Sequence, residues 1–277
     1  MPLSCQAILS KSKNAKQLFA LNIGAERQIS IWQNTNDQVH YDDPLGHTFS
    51  RYLAGGQGTR RLDIEERVGW PGAVCVFPEG HPSHWEIKDP FRFVHLYVPN
   101  AQLRAHYAKT HDRDCRTLEL SELTLAHAPT FSDPLAAMAQ AAIDGNVLQA
   151  DAAFAELIGR LNIGKKAVAG GLSPHTLRRI DEWVETHLHT TIRLEDLAQV
   201  AELSEFHFHR MFSASRGISP HNWILGQRIE HAKALLKNTS IAQISAACGF
   251  SSQSHFTRAF KTSTGLTPAA YRRALFG

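Results

Sequence analysis

The chain has 277 residues, of which 43% are hydrophobic and 20% charged, and its formal net charge is +3. This length suffices for two domains with separate cores, and no apolar run reaches the roughly 18 residues that would predict a transmembrane helix. The first residues lack the apolar core and cleavage site of a signal peptide, so we expect a cytoplasmic protein. The four cysteines, Cys5, Cys75, Cys115 and Cys248, form no CxxC pair, which argues against a disulfide framework or a zinc site.

Strands are predicted over the first hundred residues. The segment 61–66 alternates apolar and polar residues, and 73–77 is an apolar run between two turn signals. The segment 91–99 is a longer apolar and aromatic run that also favours a strand. The pattern then takes a helical period and predicts helices at 100–109, 133–144 and 147–162. The last of these has an apolar stripe that fits either a dimer contact or packing against the strands.

A flexible linker is predicted near the middle of the chain, because 164–171 consists of small and basic residues. Beyond it, Ser173-Pro174, Ser219-Pro220 and Thr267-Pro268 each combine a helix N-cap with a first-turn proline. Helices are predicted at 174–189, 194–201, 204–215, 220–237, 241–247, 252–263 and 268–275. The sequence therefore predicts a β-rich domain, a short helical region, a linker and an all-α domain.

A pattern of aromatic, arginine, glycine and proline residues occurs twice in the all-α part, 48 residues apart. Each copy contains a short helix, a turn that begins at a serine and a second helix, which is the layout of a helix-turn-helix. Two copies of the pattern indicate a helix-turn-helix more specifically than either copy does alone. The coinciding pairs are Phe208/Phe256, Arg210/Arg258, Phe212/Phe260, Gly217/Gly265 and Pro220/Pro268.

The second helix of each copy carries a polar face suited to contacting DNA bases. The paired phenylalanines are four residues apart, so they share the opposite face and can be buried. Arginine can pair twice with guanine and glutamine with adenine, and a phenylalanine can press on a thymine methyl group. Any solvated helix has a polar face, but the duplication and the 12 basic against 8 acidic residues in 172–277 favour a DNA partner. The predicted base-facing residues are Phe206, His209, Arg210, Gln253, Ser254, Thr257 and Arg258.

The segment 219–273 resembles the DNA-binding domain of the AraC family of transcription regulators. One departure is Trp223, where the family often has tyrosine. The resemblance implies two helix-turn-helix units joined by a long helix at 220–237, with both second helices in successive major-groove segments about 34 Å apart. The matching residues are Arg228, Ala232, Leu235, Leu236, Ile241, Ile244, Ala246, Gly249, Phe250, Phe256, Arg258, Phe260, Gly265, Thr267, Pro268, Tyr271 and Arg272.

The same resemblance implies further contacts and partners. Lys261, Arg216 and the helix N-termini near Ser204 and Ser240 are expected to hold DNA phosphates, which position a protein without specifying sequence. The family's habit implies a homodimer, RNA polymerase as a further partner and activation of transcription. A membrane partner is not expected.

In the AraC family an N-terminal β-roll commonly senses a small molecule, and the first 163 residues resemble this arrangement in layout. The segment 72–84 resembles the second half of the cupin signature, but the histidine cluster of the first half is absent. Core packing is the alternative role for the aromatic residues of this domain. Arg51 and Arg92 are candidates for holding an anionic group. The predicted effector pocket consists of Trp32, Arg51, Trp70, Trp85, Phe93, His95 and Tyr97.

A metal site is the competing interpretation of the first domain. His81, His84 and His95 can converge if their strands are adjacent, with Glu79 or Glu86 beside them, and a metal needs three or four such ligands. Because the cupin histidine cluster and any general-base pairing are missing, no enzyme activity and no cofactor are expected.

The predicted fold class is α+β with several domains. We expect a cupin-like β-roll with following helices that senses an effector and dimerises over 1–163, a linker over 164–173, and an all-α domain with two helix-turn-helix units over 174–277. The expected function is a sequence-specific transcription regulator controlled by a small-molecule effector. One alternative is a metal-binding cupin, as enzyme or metal sensor, fused to a DNA-binding module. The other is a constitutive DNA-binding protein whose first domain only dimerises.

Overall fold

The computed structural model describes residues 2–64, 67–161 and 170–276. Their packing defines an N-terminal unit, Met1–Leu103 with Glu119–Asn162, and a C-terminal unit, Arg104–Leu118 with Ile163–Gly277. The predicted linker at 164–173 lies largely outside the described residues.

The elements up to residue 161 begin with a short helix and eight strands, and a helix, a ninth strand and two further helices follow. The first helix and the ninth strand are not among the elements that the sequence predicts. The strands are β1 (Lys16–Asn22), β2 (Gln28–Asn34), β3 (Asp37–Tyr41), β4 (His47–Ala54), β5 (Thr59–Arg61), β6 (Val74–Phe77), β7 (Ser83–Ile87), β8 (Phe91–Val98) and β9 (Leu123–Ala126). The helices are α1 (Cys5–Leu9), α2 (Asn100–His111), α3 (Pro129–Asp144) and α4 (Val147–Gly159).

The described strands form two antiparallel sheets. The larger sheet has the order β1-β2-β8-β4-β6-β9 and the smaller has the order β3-β7-β5. Strand β8 pairs with β2 on one side and β4 on the other, and all of its residues except Arg92 are buried. The long apolar run at 91–99 therefore predicts this strand well, because a strand covered on both faces needs no polar alternation.

The prediction of a strand at 61–66 is wrong in its extent. Strand β5 ends at Arg61, whose buried guanidinium donates hydrogen bonds to Asp63 at 2.8 Å and to the Pro82 carbonyl at 3.1 Å. The chain turns at this anchor, and Leu62 and Ile64 are exposed. Residues 65 and 66 lie outside the described part of the chain.

An aromatic core fills the space between the two sheets. The larger sheet contributes Trp32, Phe77 and Phe93, and the smaller contributes Tyr41 and Trp85, each no more than 5% exposed. The rings of Phe77 and Trp85 meet edge to face with centroids 5.8 Å apart, so the core joins the sheets directly.

Helix α4 buries part of the predicted stripe together with residues beside it. Val147, Ala150 and Phe154 are buried, and the guanidinium of Arg27 lies 4.5 Å from the centroid of the Phe154 ring. The predicted stripe consists of Leu148, Ala152, Ala155, Ile158 and Leu161; its last two residues are buried, Leu148 is half-buried, and Ala152 and Ala155 are exposed. The side chains differ too little in hydrophobicity around this helix for the sequence to indicate which face packs.

The C-terminal unit contains the predicted helices, with ends within two residues of the expected positions. Ser173 and Ser219 cap their helices, since each side-chain oxygen accepts a hydrogen bond from a backbone N–H three residues later. None of the helices in the described residues is long and apolar enough to cross a membrane. The helices are α5 (Pro174–His187), α6 (Leu194–Val200), α7 (Glu205–Arg216), α8 (Pro220–Leu235), α9 (Ile241–Ala247), α10 (Gln253–Thr264) and α11 (Pro268–Phe276).

The segment Arg104–Leu118 packs within the C-terminal unit, although the sequence predicts it as part of the first domain. The Cys115 thiol contacts the Ala214 carbonyl at 3.2 Å, and Arg116 donates a hydrogen bond to the Gly170 carbonyl at 2.6 Å. A Cβ atom at Gly217 would lie 3.1 Å from the Cβ of Arg104, so the glycine permits this close approach.

Two hydrophobic clusters build the C-terminal unit, and helix α8 belongs to both. Its first half places Trp223 and Ile224 against α5, α6 and α7. Its second half places Ile229 and Ala232 against α9 and α10. One continuous helix therefore holds the two clusters at a fixed separation.

Candidate nucleic-acid interface and interior cavity

Helix α7 has one buried aromatic face and one exposed polar face. Phe208 and Phe212 are fully buried with ring centroids 5.4 Å apart, and Phe212 also packs edge to face against Trp223. On the opposite side Phe206 is 80% exposed, with His209 and Arg210 exposed beside it. The exposed side therefore carries the three residues that the sequence predicts to face DNA bases.

Helix α10 repeats this arrangement. Phe256 and Phe260 are fully buried with centroids 5.6 Å apart. The predicted base-facing residues lie together on the other side, where Gln253, Ser254 and Arg258 are exposed and Thr257 is half-buried.

The same capping interactions set the ends of both helices. The Ser204 hydroxyl accepts a hydrogen bond from the His207 N–H at the start of α7, and Ser252 does so from His255 at the start of α10. Gly217 and Gly265 end the two helices with φ angles of 78° and 81°, which favour glycine. The turn before α10 begins at Ser251, and the residue that caps the helix is the next one, Ser252.

The turn before α10 depends on Gly249, a residue whose packing role the sequence pattern did not reveal. It has a φ of +68°, and a Cβ atom there would lie 2.4 Å from the Leu188 carbonyl oxygen. Arg228 on α8 donates a hydrogen bond to the Thr190 carbonyl at 2.6 Å in the same region. These contacts fix the start of α10 against the loop that follows α5.

The predicted phosphate contacts divide into two groups. Ser204, Ser240 and Lys261 are exposed. Arg216 is buried, and its guanidinium pairs with the Asp181 carboxylate at 2.5 Å. The expectation that Arg216 holds a phosphate therefore has to be corrected, because a DNA strand has no access to a side chain that is 8% exposed and already paired. Burial raises the pKa of Asp181 against the opposing effect of Arg216.

A cavity lies inside the N-terminal unit, between the two sheets. Three of the predicted pocket residues, Trp85, Phe93 and His95, line it. Trp32 and Tyr97 belong to the same aromatic core but not to the lining. The lining residues that the sequence analysis missed are Leu9, Asn34, Val39, Tyr41, Ser50, Tyr52, Thr59, Phe77, Ile87 and Phe91. Strand alternation is the signal that selects Ser50 and Tyr52 on β4.

The remaining two predicted pocket residues lie elsewhere. Arg51 points to the other face of β4, where its Nε donates a hydrogen bond to the Ser132 hydroxyl at 2.9 Å. Trp70 is 38% exposed and does not line the cavity. Both placements follow from the period of two along a strand and from the loop position of Trp70, so these two predictions need correction.

Burial holds the ionisable groups of the cavity in their neutral forms. Desolvation lowers the pKa of His95 to about 3, and its Nδ1 lies 3.0 Å from the Tyr97 hydroxyl. Desolvation also raises the pKa of Tyr41 and Tyr52 well above the ordinary value. The lining therefore offers hydroxyl groups and a neutral imidazole.

The histidines proposed as metal ligands do not converge. His95 is buried in the core, whereas His81 and His84 have side chains that are 51% and 44% exposed. His84 instead packs against the ring of His40, with centroids 4.7 Å apart. Among the described residues, no group of three His, Cys, Asp or Glu side chains is arranged to hold a metal ion.

Residues 197–274 match the model of a helix-turn-helix domain. The chain is 37% identical over 95 residues to the probable transcriptional regulator LumQ of Photobacterium leiognathi, a match that covers 34% of this chain and 38% of LumQ. It is 28% identical over 254 residues to the MmsAB operon regulatory protein of Pseudomonas aeruginosa, covering 84% of this chain and 80% of that protein.

Among solved structures, a transcriptional regulator from Chromobacterium violaceum described as containing an AraC-type DNA-binding domain is 30% identical. The match covers 37% of this chain and 96% of that chain, with a TM-score of 0.35. The chain spans 31% to 38% of the length of three of the curated relatives that it matches.

The helix-turn-helix match and the long alignment to a regulatory protein make the chain similar to transcription regulators. Its matched part, residues 197–274, is a helix-turn-helix domain that resembles those of AraC-family regulators.

Proposed function

We propose that the protein binds specific DNA sequences through two helix-turn-helix units, α6–α7 and α9–α10. The observation that carries the proposal is the repetition of one surface. Each second helix buries a phenylalanine pair and exposes an arginine at the same position, Arg210 in α7 and Arg258 in α10. Exposure to solvent alone would not produce the same pattern twice at a spacing of 48 residues.

The exposed side chains match the hydrogen-bonding patterns of base edges in the major groove. Arg210 and Arg258 can each donate twice to guanine, and Gln253 can pair with adenine. Phe206 can contact a thymine methyl group, which accounts for an aromatic ring left 80% exposed. His209, Ser254 and Thr257 complete the two surfaces.

The shared helix α8 supports simultaneous contact by both units. Since Trp223 and Ile229 on this one helix belong to the two separate clusters, the helix sets the distance between α7 and α10. A fixed distance suits two successive major-groove segments on one face of DNA. Lys261 and the capped helix starts at Ser204 and Ser240 would hold phosphates, whereas Arg216 serves the fold.

The N-terminal unit is proposed to be a cupin-like sensor of a small-molecule effector and a dimer contact. The effector would bind in the cavity between the sheets and shift the population of conformations that bind DNA. The outward face of α4, with Ala152 and Ala155, is available for a second copy of the chain. As the resemblance to the AraC family implies, the DNA-bound protein would activate transcription by contacting RNA polymerase.

A second candidate function is constitutive DNA binding, with an N-terminal unit that only dimerises. The small size of the cavity, about 30 Å³, favours this candidate because an organic ligand needs more room.

The proposal is tested by selecting binding sites for the full-length protein from a pool of randomised DNA duplexes. We expect a preferred site with two half-sites separated by about 10 base pairs. Arg258→Ala should cost about 1–3 kcal/mol at that site and relax the preference at one base position. Lys261→Ala should weaken binding to all sequences and reduce the slope of log K against log salt by about 1.

A matched control is Arg178→Ala, which removes the same charge from an exposed position on α5. This variant should leave the selected sequence unchanged. Selection that yields no preferred sequence would contradict the proposal as a whole. A uniform loss of affinity in Arg258→Ala would move Arg258 from base contact to phosphate contact.

A further inference from the structure

The cavity of the N-terminal unit has a lining that carries no formal charge. It consists of 13 residues, and none of them is lysine, arginine, aspartate or glutamate. Seven of the 13 carry rings, and the others are aliphatic or small and polar. The sequence predicts an arginine here for an anionic group, whereas the observed lining favours an uncharged ligand.

The rings around the cavity contact one another in a continuous series. Phe91 and Phe93 are stacked with centroids 4.6 Å apart and an interplanar angle of 17°. Tyr52 lies 4.9 Å from Phe91, and His95 lies 4.6 Å from Phe93. A flat aromatic molecule inserted among these side chains would keep favourable ring-to-ring contacts that a saturated ring cannot make.

The nearby arginines do not supply a positive charge to the cavity. Arg51 is directed to Ser132 on the far face of β4, and Arg92 is the exposed residue of β8. Arg61 is engaged by Asp63 and Glu122. A carboxylate in this cavity would be desolvated without a partner of opposite charge, which is strongly unfavourable.

The cavity does offer a hydrogen-bonding position. Thr59 is 1% exposed and lines the cavity, and its hydroxyl oxygen has no well-formed hydrogen bond with any described residue, although the Tyr52 hydroxyl lies beside it. A ligand that supplies the missing hydrogen-bond partner of such a buried hydroxyl is bound more favourably. The two hydroxyls together can serve one polar atom of a ligand.

The size of the cavity limits the ligand to a small molecule. Its volume is about 30 Å³, whereas an engineered apolar cavity that binds benzene measures about 150 Å³. Binding of even one ring therefore requires the surrounding side chains to move outward. This coupling would give the ligand a means of changing the packing of the two sheets.

We propose that the effector is an uncharged, single-ring aromatic molecule with one hydroxyl or carbonyl group, held by the Thr59 and Tyr52 hydroxyls between the aromatic side chains of the two sheets. This inference rests on the proposed sensing function of the N-terminal unit. It excludes carboxylates and phosphates as the preferred class.

Three matched probes test the inference on the full-length protein: benzyl alcohol, cyclohexylmethanol and benzoate. Their dissociation constants are measured from the quenching of tryptophan fluorescence, since Trp85 lines the cavity, and from the rise in melting temperature. We expect benzyl alcohol to bind at least about tenfold more tightly than benzoate, because the carboxylate loses its hydration without gaining a partner. Cyclohexylmethanol should bind more weakly than benzyl alcohol.

A variant tests the hydrogen-bonding position. Thr59→Val keeps the shape of the side chain and removes its hydroxyl. It should weaken the binding of benzyl alcohol by about three- to tenfold, as expected for the loss of one hydrogen bond. It should leave the binding of toluene, which has no hydroxyl group, unchanged. Thr48→Val is the control, since Thr48 is equally buried on β4 but does not line the cavity. This variant should change the affinity for neither benzyl alcohol nor toluene.

The outcomes separate the inference from the proposed function. Equal or tighter binding of benzoate would overturn the neutral class and leave an effector-controlled regulator in place. Equal binding of cyclohexylmethanol would overturn the aromatic preference. If none of the probes binds to protein that still binds its DNA site, the inference and the sensing function both fail, and constitutive DNA binding becomes the better account.

Discussion

Gly249 provides a sharp test of how the start of α10 is held, because two of its three nearest neighbours, one of them the nearest, are backbone carbonyl oxygens. In Gly249→Ala the new Cβ atom would lie 2.4 Å from the Leu188 carbonyl oxygen and 3.1 Å from that of Thr190. The residue also has a φ of +68°. The left-handed conformation costs an alanine about 1–2 kcal/mol, and relief of the overlap adds about 1–3 kcal/mol. We therefore expect Gly249→Ala to lower the free energy of unfolding by about 2–5 kcal/mol.

Gly226 in helix α8 is the matched control for the same substitution. A Cβ atom there meets no atom within 4 Å, and its backbone is helical. Since alanine is a better helix former than glycine, Gly226→Ala should raise the free energy of unfolding by about 0.5–1 kcal/mol.

The two variants are compared by urea unfolding of the full-length protein, monitored by circular dichroism, and by titration of the selected DNA site. Gly249→Ala should also weaken the full site more than a site that keeps only the half bound by α7, because α10 would shift. Stability equal to that of the unchanged protein in Gly249→Ala, or a larger loss in Gly226→Ala, would refute this account of the turn.

Two further predictions concern buried ionisable groups. Burial holds the pKa of His95 near 3, whereas an unfolded histidine has a pKa of about 6.5. As the pH is lowered, the unfolded chain therefore binds a proton before the folded protein does. The contribution of His95 to stability is complete above about pH 6.5 and falls below it. Urea unfolding at pH 7 and pH 5 should show a loss of about 2 kcal/mol that is absent in His95→Phe, and an identical pH dependence in both proteins would contradict it. Arg216→Met leaves the Asp181 carboxylate without its partner. Because Asp181 is 38% exposed and partly solvated, we expect the free energy of unfolding to fall by only about 1–3 kcal/mol. The additional substitution Asp181→Leu should restore most of this stability. The salt dependence of DNA binding should stay unchanged in Arg216→Met; a slope reduced by about 1 would return Arg216 to the phosphate contacts.

The pairing of Arg216 with Asp181 illustrates how one position in the repeat can depart from its expected role. In sequence it is a basic residue at the end of a predicted DNA-contacting helix, which is where phosphate contacts occur. In the fold it lies between α5 and Trp223, with its guanidinium 5.8 Å from the indole ring. Lys261 near the end of α10 is exposed, and its contact with a DNA phosphate stays a prediction.

Local sequence signals alone predict the helices of the C-terminal unit to within two residues. Their ends are local features: serine caps such as Ser219, first-turn prolines, and glycines such as Gly217 and Gly265. The exposed faces of α7 and α10 followed from the helical period, because two phenylalanines four residues apart can only share one side. Strand β8 was equally clear from its unbroken apolar run.

Contacts between residues that are far apart in the chain could not be predicted without the folded structure. It placed Arg104–Leu118 in the C-terminal unit, paired Arg216 with Asp181, and directed Arg51 away from the cavity. It also assembled the cavity from side chains on both sheets and from α1, which no local pattern connects. These outcomes depend on the packing of whole elements against each other, and the free energy of that packing is not a property of any one segment.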